Sequence, residues 1–222
     1  MELLIVNSNT TTGITDLLRD EAVSLATPGT RVTAITAPFG AAGIETPEDV
    51  EIAAEATRVA VTGASPPDAA IIACFSDPGL FRIREEVSFP VIGIAEAAIL
   101  RATELGDKFS ILTVAPSTVP GIRAIVEAYG KTCQLAGIHA LPTGVLQSHR
   151  DRDRTAREMS ALAELILASD RPDVLVLGGA ITAGMSRQLA PTLPVPLLDG
   201  LSCAIRRVSG PVSGAPYIQP KL

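Results

Sequence analysis

The sequence predicts an α/β protein built from two similar parallel four-stranded half-domains, related by a pseudo-twofold, with a cleft between them. Three observations carry this expectation. Brief apolar runs rich in β-branched residues and closed by Gly, Pro, Asn or Asp alternate with longer stretches of helical period, the punctuation of βαβ units. Apolar residues make up 47% of the 222, yet they include only five Phe, two Tyr and no Trp; small aliphatic side chains suit strands buried under closely packed helices. Finally, the chain repeats itself. Asp68-Ala-Ala-Ile-Ile-Ala-Cys74 recurs 105 residues later as Asp173-Val-Leu-Val-Leu-Gly-Gly179. Pro90-Val-Ile-Gly-Ile-Ala-Glu-Ala-Ala-Ile99 recurs as Pro196-Leu-Leu-Asp-Gly-Leu-Ser-Cys-Ala-Ile205, and Leu4-Ile-Val-Asn7 as Ile111-Leu-Thr-Val114. Three matches in one order, at nearly one offset, divide the chain into residues 1–106 and 107–222.

Taken in order, Leu3–Val6 is an aliphatic run stopped by Asn7, and Thr11–Leu25 follows with helical spacing. Arg31–Thr36 is a β-branched run. Thr46 before Pro47, with Glu48 and Asp49 in the first turn, opens a helix over Pro47–Thr62. Ala69–Phe75 and Val91–Ile94 are continuous apolar strands separated by helix-like Leu80–Glu86, and Ala95–Leu105 closes the half as a helix. The second half repeats the scheme with strands Phe109–Val114, Ile138–Pro142, Val174–Gly178 and Val195–Leu198. Its helices are expected over Thr118–Tyr129, Thr155–Ala168 and Thr182–Leu189. The Pro/Gly-rich tail from Gly210 is expected to lack regular structure.

Composition removes several classes of function. A net charge of −6, from 18 basic and 24 acidic residues, and the absence of a long basic block exclude nucleic acid as a natural partner. Mean hydropathy is +0.35, but no uninterrupted apolar stretch reaches membrane-spanning length, and Met1-Glu-Leu-Leu-Ile-Val has no basic signal-peptide start. A cytoplasmic protein without membrane attachment is expected. Three cysteines with no CxxC spacing suggest neither a disulfide framework nor zinc, and two histidines leave few metal ligands. No metal site is expected, and phosphate-cradling glycine motifs are absent after every strand.

Chemistry is therefore sought among thiols, carboxylates, hydroxyls and backbone groups at strand C-termini, where parallel sheets bind ligands. Cys74 ends an apolar strand ahead of Phe75-Ser76-Asp77-Pro78-Gly79. Nearby N–H groups and a helix start are expected to lower its pKa and make it a base or nucleophile near neutrality. Cys203 lies in a helical pattern and Cys133 lacks supporting features, so both are expected to be packing residues. Asn7-Ser8-Asn9-Thr10-Thr11 either holds a carboxylate or imide or simply caps a helix. Glu96 either positions a polar group or serves the helix dipole, and Gly178-Gly179 either admits substrate close to the backbone or makes a tight turn. His149, within Ser148-His-Arg-Asp-Arg-Asp-Arg154, is expected in a solvated loop.

These segments together resemble the aspartate/glutamate/hydantoin racemase family, most closely its hydantoin and allantoin racemase branch. The resemblance rests on Asn7-Ser8-Asn9-Thr10, Cys74-Phe-Ser-Asp-Pro-Gly-Leu80 with Arg84-Glu85, Pro90–Ala98, Phe109–Thr113, Leu177-Gly-Gly-Ala180 and Pro196–Gly200, and spans nearly the whole chain. It implies a cofactor-independent racemase or epimerase of a hydantoin-like or amino-acid-derived small molecule, bound in a cleft between the halves with one cysteine from each flanking its α-carbon, and a homo-oligomer. Here the pattern breaks: Cys74 holds the first-half position, but Gly179 stands where relatives carry the second cysteine, as the internal repeat also indicates. Cys74 is expected to act as the base, with Asn7, Phe75, Ser76, Thr113, Gly179 and Ala180 binding substrate. The N–H groups of Phe75, Ser76, Gly179 and Ala180 are the expected oxyanion donors, and water or Thr182 the proton relay on the second face. Alternatives consistent with one thiol are a decarboxylase or cis–trans isomerase of the same fold, or a catalytically silent small-molecule binding protein.

Overall fold

A computed structural model describes residues 1–210; the Pro/Gly-rich tail beyond Gly210 lies outside the described residues. The first half runs β1 (Glu2–Asn7), α1 (Thr12–Leu25), β2 (Arg31–Thr36), α2 (Pro47–Gly63), β3 (Ala69–Ile72), α3 (Leu80–Glu86), β4 (Val91–Gly93) and α4 (Ile94–Leu105). The second runs β5 (Phe109–Val114), α5 (Val119–Ala128), β6 (Leu135–Leu141), α6 (Val145–Arg150), α7 (Arg152–Ser169), β7 (Val174–Leu177), α8 (Met185–Leu189), β8 (Leu197–Asp199) and α9 (Gly200–Ser209). Each half forms one four-stranded sheet, in the orders β2-β1-β3-β4 and β6-β5-β7-β8, and every pairing is parallel. The same order in both sheets is the architecture expected from the repeat.

Strand alternation builds two cores from the first sheet. Leu3, Ile5, Ala69 and Ile71 point into a large cluster that also holds Phe109, Ile111 and Val176 of the second sheet. Leu4, Val6, Ala70 and Ile72 point the other way, into a smaller cluster with Val61, Leu80 and Ile83 of α2 and α3. The larger cluster joins the halves. Helices α4 and α9 meet within it so closely that a Cβ on Gly200 would lie 2.7 Å from the Ile94 carbonyl oxygen. A side chain there would force the helices apart, so glycine sets their approach.

Local chemistry explains the element boundaries. Thr46 accepts from the Asp49 N–H at 3.2 Å while Asp49 accepts from the Thr46 N–H at 3.0 Å, a capping box that starts α2 at Pro47. Helix α7 begins earlier than expected, because Asp151 accepts from the Arg154 N–H at 3.0 Å and caps the polar segment. Helix α6 was not expected at all, since Ser148–Arg154 reads as a solvated loop. The helix expected over Thr182–Leu189 is instead a 3-10 turn, Ala180–Thr182, followed by α8; Gly184 at φ +81° separates them. Strand β3 stops at Ile72, so Cys74 sits in the loop beyond the ladder.

Candidate active site

The two central strands of the first sheet deliver the thiol. The β1–β3 register pairs Val6 with Ile72, and the Ala73 N–H donates to the Val6 carbonyl at 2.8 Å. Extending that register sets Ser8 beside Cys74 at the C-terminal edge, where parallel sheets present their ligands. The chain then turns sharply: the Asp77 N–H donates to the Cys74 carbonyl at 3.0 Å, and Cys74 Sγ lies 3.3 Å from the Ser76 hydroxyl. Phe75 leaves this turn toward the other half. Its ring carbons lie 3.4 Å from where a Cβ on Gly178 would stand, so the loop carrying Cys74 and the loop carrying Gly179 meet across the boundary.

Gly179 is backbone only. It adopts φ +106°, and a Cβ built there meets no atom within 4 Å. Thr182 donates its hydroxyl to the Gly179 carbonyl at 2.7 Å, so the expected relay hydroxyl already spends its proton within the loop. Arg152 fixes the next stretch by donating to the Ile181 and Ala183 carbonyls, the latter at 2.9 Å. Among the described residues no carbonyl accepts from the N–H groups of Gly179 or Ala180, which leaves both open to an incoming oxygen.

The electrostatics correct one expectation. Burial pushes the Cys74 thiol up rather than down, opposed by the hydroxyl and N–H of Ser76 and the N–H of Phe75, and reinforced by the Asp77 charge. Helix α3 begins only at Leu80, too far along the chain to act as the activating helix end. Cys74 is therefore a thiol at neutral pH, and its thiolate forms as pH rises. Asp77, 4% exposed, is itself pushed up to about 7 by burial. Cys203 is buried and pushed up to about 12, the inert packing residue expected. Cys133, in contrast, is exposed on a short 3-10 turn, because the 3-10 segment carries it outside the β5–β6 packing.

The remaining expected residues divide into those free to meet a ligand and those already committed. The Asn7 amide donates to Asn9 Oδ1, the Thr11 carbonyl and the Thr15 hydroxyl at 3.0–3.1 Å, and its Oδ1 accepts from the Asn9 N–H. It is the knot that shapes the loop, with no donor left over for an imide. Phe75, 4% exposed, is consumed by packing. Thr113 is buried, with its hydroxyl 3.4 Å from the Val114 carbonyl. Glu96, fully buried, forms a bidentate pair with Arg84 at 2.6 and 3.0 Å and so faces away from any cleft role. His149 lies on α6, its Nε2 3.1 Å from where a Gly13 Cβ would stand, and burial lowers its pKa. It is packed against α1 rather than solvated.

Sequence reasoning included Ser8 in the candidate segment Asn7–Thr11 without singling it out. It is 1% exposed and its hydroxyl has no partner among the described residues. A buried hydroxyl without a partner costs free energy unless a ligand satisfies it. The available signal was its place as the first residue beyond the C-terminal end of a central strand.

Two like parallel α/β halves, with a thiol just beyond β3, are the setting in which the chain's relatives can be compared. The model of the Asp/Glu/Hydantoin racemase family matches residues 3–208, and the chain belongs to it. It is accordingly an isomerase of the racemase class. More particularly, the chain is 34% identical over 209 residues to a hydantoin racemase of Paenarthrobacter aurescens, spanning 93% of this chain and 89% of that one. It superposes on an allantoin racemase from Klebsiella pneumoniae with a TM-score of 0.89 at 34% identity, covering 94% and 86% of the two chains. A glycine-to-cysteine variant of arylmalonate decarboxylase shares the fold, with a TM-score of 0.69 at 15% identity over 94% and 91% of the chains.

Proposed function

We propose that this protein racemises a hydantoin-like or amino-acid-derived small molecule without a cofactor, with Cys74 as the group that removes the α-proton. The reading rests on a thiol in the loop just beyond β3, on its neighbour Phe75 reaching the Gly178-Gly179 loop, and on the open space beside Gly179. Hydantoin and allantoin racemases among the relatives supply the substrate class.

The chemistry follows from the donors at hand. The thiolate takes the α-proton, and the electron pair of the broken C–H bond moves to the adjacent carbonyl as an enolate. The free N–H groups of Gly179 and Ala180 and the unpartnered Ser8 hydroxyl are the donors for that oxygen. Reprotonation on the opposite face comes from water admitted beside Gly179, and the hydroxide left behind takes up the proton held by sulfur, so the cycle closes without net change. The proposal places the reaction in the cytoplasm and in a homo-oligomer, whose size sedimentation of the purified chain would measure.

The test is α-deuterium exchange in D2O with enantiopure hydantoins, allantoin, Asp and Glu, comparing the protein with Cys74→Ser. Exchange accompanied by loss of optical rotation, abolished in the variant while its melting curve is unchanged, is the expected result. Absence of exchange into every compound refutes the reading. The bare Gly179 also favours a second reading, a one-thiol enzyme: a decarboxylase, in which Cys74 protonates a carbanion on one face, or a cis–trans isomerase, in which Cys74 adds to an alkene and leaves after rotation. Exchange with full retention of configuration would select one-face proton transfer, and a mass shift on Cys74 with a maleate-like compound would select addition.

A further inference from the structure

Three residues beyond Cys74, Asp77 holds a buried carboxylate with three donors. The N–H groups of Ala95 and Glu96 reach it at 3.0 and 2.7 Å, and the Tyr129 hydroxyl at 2.6 Å. Two of these belong to the start of α4. The third crosses from the second half, where Tyr129, 3% exposed, follows α5 and sets its ring edge-on against Phe81 with centroids 6.2 Å apart. Asp77 also closes the thiol turn through its own N–H, and it does so at φ +43°, a conformation that a non-glycine residue keeps only when its surroundings over-determine it.

The two halves solve the same capping problem differently. In the second, Asp199 stands at the N-terminus of α9, accepts from the Ser202 N–H at 2.9 Å and receives the Ser186 hydroxyl. The repeat aligns Asp199 with Gly93, where a Cβ would lie 2.2 Å from the Asp77 carboxyl carbon. In the first half the capping carboxylate has thus moved off the strand end and onto the loop that presents the thiol. Capping α4 needs only the two amides; the bond from Tyr129 adds a tie between that loop and the opposite half.

We propose that Tyr129 is a positioning residue for Cys74, holding the thiol loop against the second half through Asp77. The inference rests on Cys74 as the proton-transferring group. The charged and titratable groups facing Asp77 are Glu96 with its partner Arg84, Tyr129 and Cys74. The Tyr129 donation pulls Asp77 down against its burial, while the Asp77 charge pushes Cys74 up. Without the hydroxyl, Asp77 keeps its proton to higher pH, the opposition to thiolate formation weakens and the loop loses its tie. Thiol reactivity and catalysis should therefore move in opposite directions.

Tyr129→Phe keeps the ring and removes only the hydroxyl. For α-deuterium exchange, kcat should fall about 10- to 100-fold with KM within about threefold, the signature of a misplaced reacting group. The titration of Asp77, pushed up to about 7 by burial, should show in kcat/KM as an inflection near neutrality, and in Tyr129→Phe that inflection should move upward by about one pH unit, as expected for loss of one hydrogen bond to a charged acceptor. Iodoacetamide alkylation of Cys74 at pH 7.5, followed on its own peptide by mass spectrometry to separate it from exposed Cys133, should become faster by about threefold or more. Unchanged kcat, inflection and alkylation overturn the proposal. Asp77→Asn guards against a misfolded first variant: it keeps an acceptor for Tyr129 but cannot titrate, so a surviving inflection near neutrality also overturns it. The alkylation arm needs no substrate, so a wild-type chain inactive on every compound refutes the functional reading while alkylation still decides the role of Tyr129.

Discussion

Placing a side chain on Gly179 separates two physical costs that usually come together. At φ +106° and ψ 145° the backbone lies in a region that L residues rarely adopt, yet a Cβ there meets nothing within 4 Å. The steric term is therefore absent, and the conformational term is about 1–3 kcal/mol for a non-glycine residue held in such a region. For a chain of this size that corresponds to a melting temperature about 2–12 °C lower. Gly179→Ala and Gly179→Cys should show the same loss, because the extra sulfur has open space to occupy. Gly93→Ala is the contrast: its Cβ would fall 2.2 Å from the Asp77 carboxyl and displace a three-donor carboxylate, a change expected to cost more than about 3 kcal/mol. Differential scanning calorimetry of the three variants measures the stabilities, and racemisation in D2O measures what the new thiol adds. Gly179→Cys should racemise faster than Gly179→Ala, since only the former supplies a second acid–base group. Unchanged melting in both Gly179 variants would refute the strained-backbone argument, and equal racemisation rates would refute the placement of Gly179 opposite Cys74.

Three further outcomes follow from the buried groups. Because burial pushes the Cys74 thiol up, the base form grows with pH, and kcat/KM for exchange should rise from pH 7 to 9; a rate that falls across this range would contradict thiolate as the base. Asp77 is raised from 3.8 to about 7, so between these values the folded chain holds a proton that the unfolded chain has lost. Stability attributable to this group is then present at low pH and declines as pH rises through that window, by up to about 4 kcal/mol. Urea midpoints at pH 4.5, 6 and 7.5 should show a slope that Asp77→Asn removes. Arg187 is 54% exposed and reaches the nearly buried Glu21 carboxylate at 2.5 Å, whose other oxygen has no donor among the described residues. Arg187→Ala should destabilise the chain by about 1–3 kcal/mol, mostly from the stranded carboxylate rather than from the exposed pair itself; the loss should shrink at pH 5, as Glu21, raised by burial, takes up a proton.

Much of this molecule is legible residue by residue, and the part that is not has a common cause. Arg31–Thr36 and Phe109–Val114 form strands over the expected residues, and Thr46-Pro47 starts its helix, because alternation, β-branching and capping act within a few residues. The repeat led directly to two sheets of identical order, since a duplicated pattern of apolar runs demands a duplicated way of burying them. The position of the thiol after β3, and of glycine at the matching place after β7, was likewise readable from the residues alone. Whether side chains are free or committed was not. Asn7 looks like a ligand-binding amide until its partners across the loop are counted, and Ser8 looks incidental until it proves buried with none. Cys74 looks activated by a nearby helix, but desolvation by surrounding chain dominates and raises it. The tie from Tyr129 to Asp77 joins residues 52 positions apart, beyond any local pattern. Strand, helix and repeat come from short-range preferences that the sequence states openly. Desolvation and hydrogen-bond satisfaction are sums over every neighbour, and only packing the two halves together determines those neighbours.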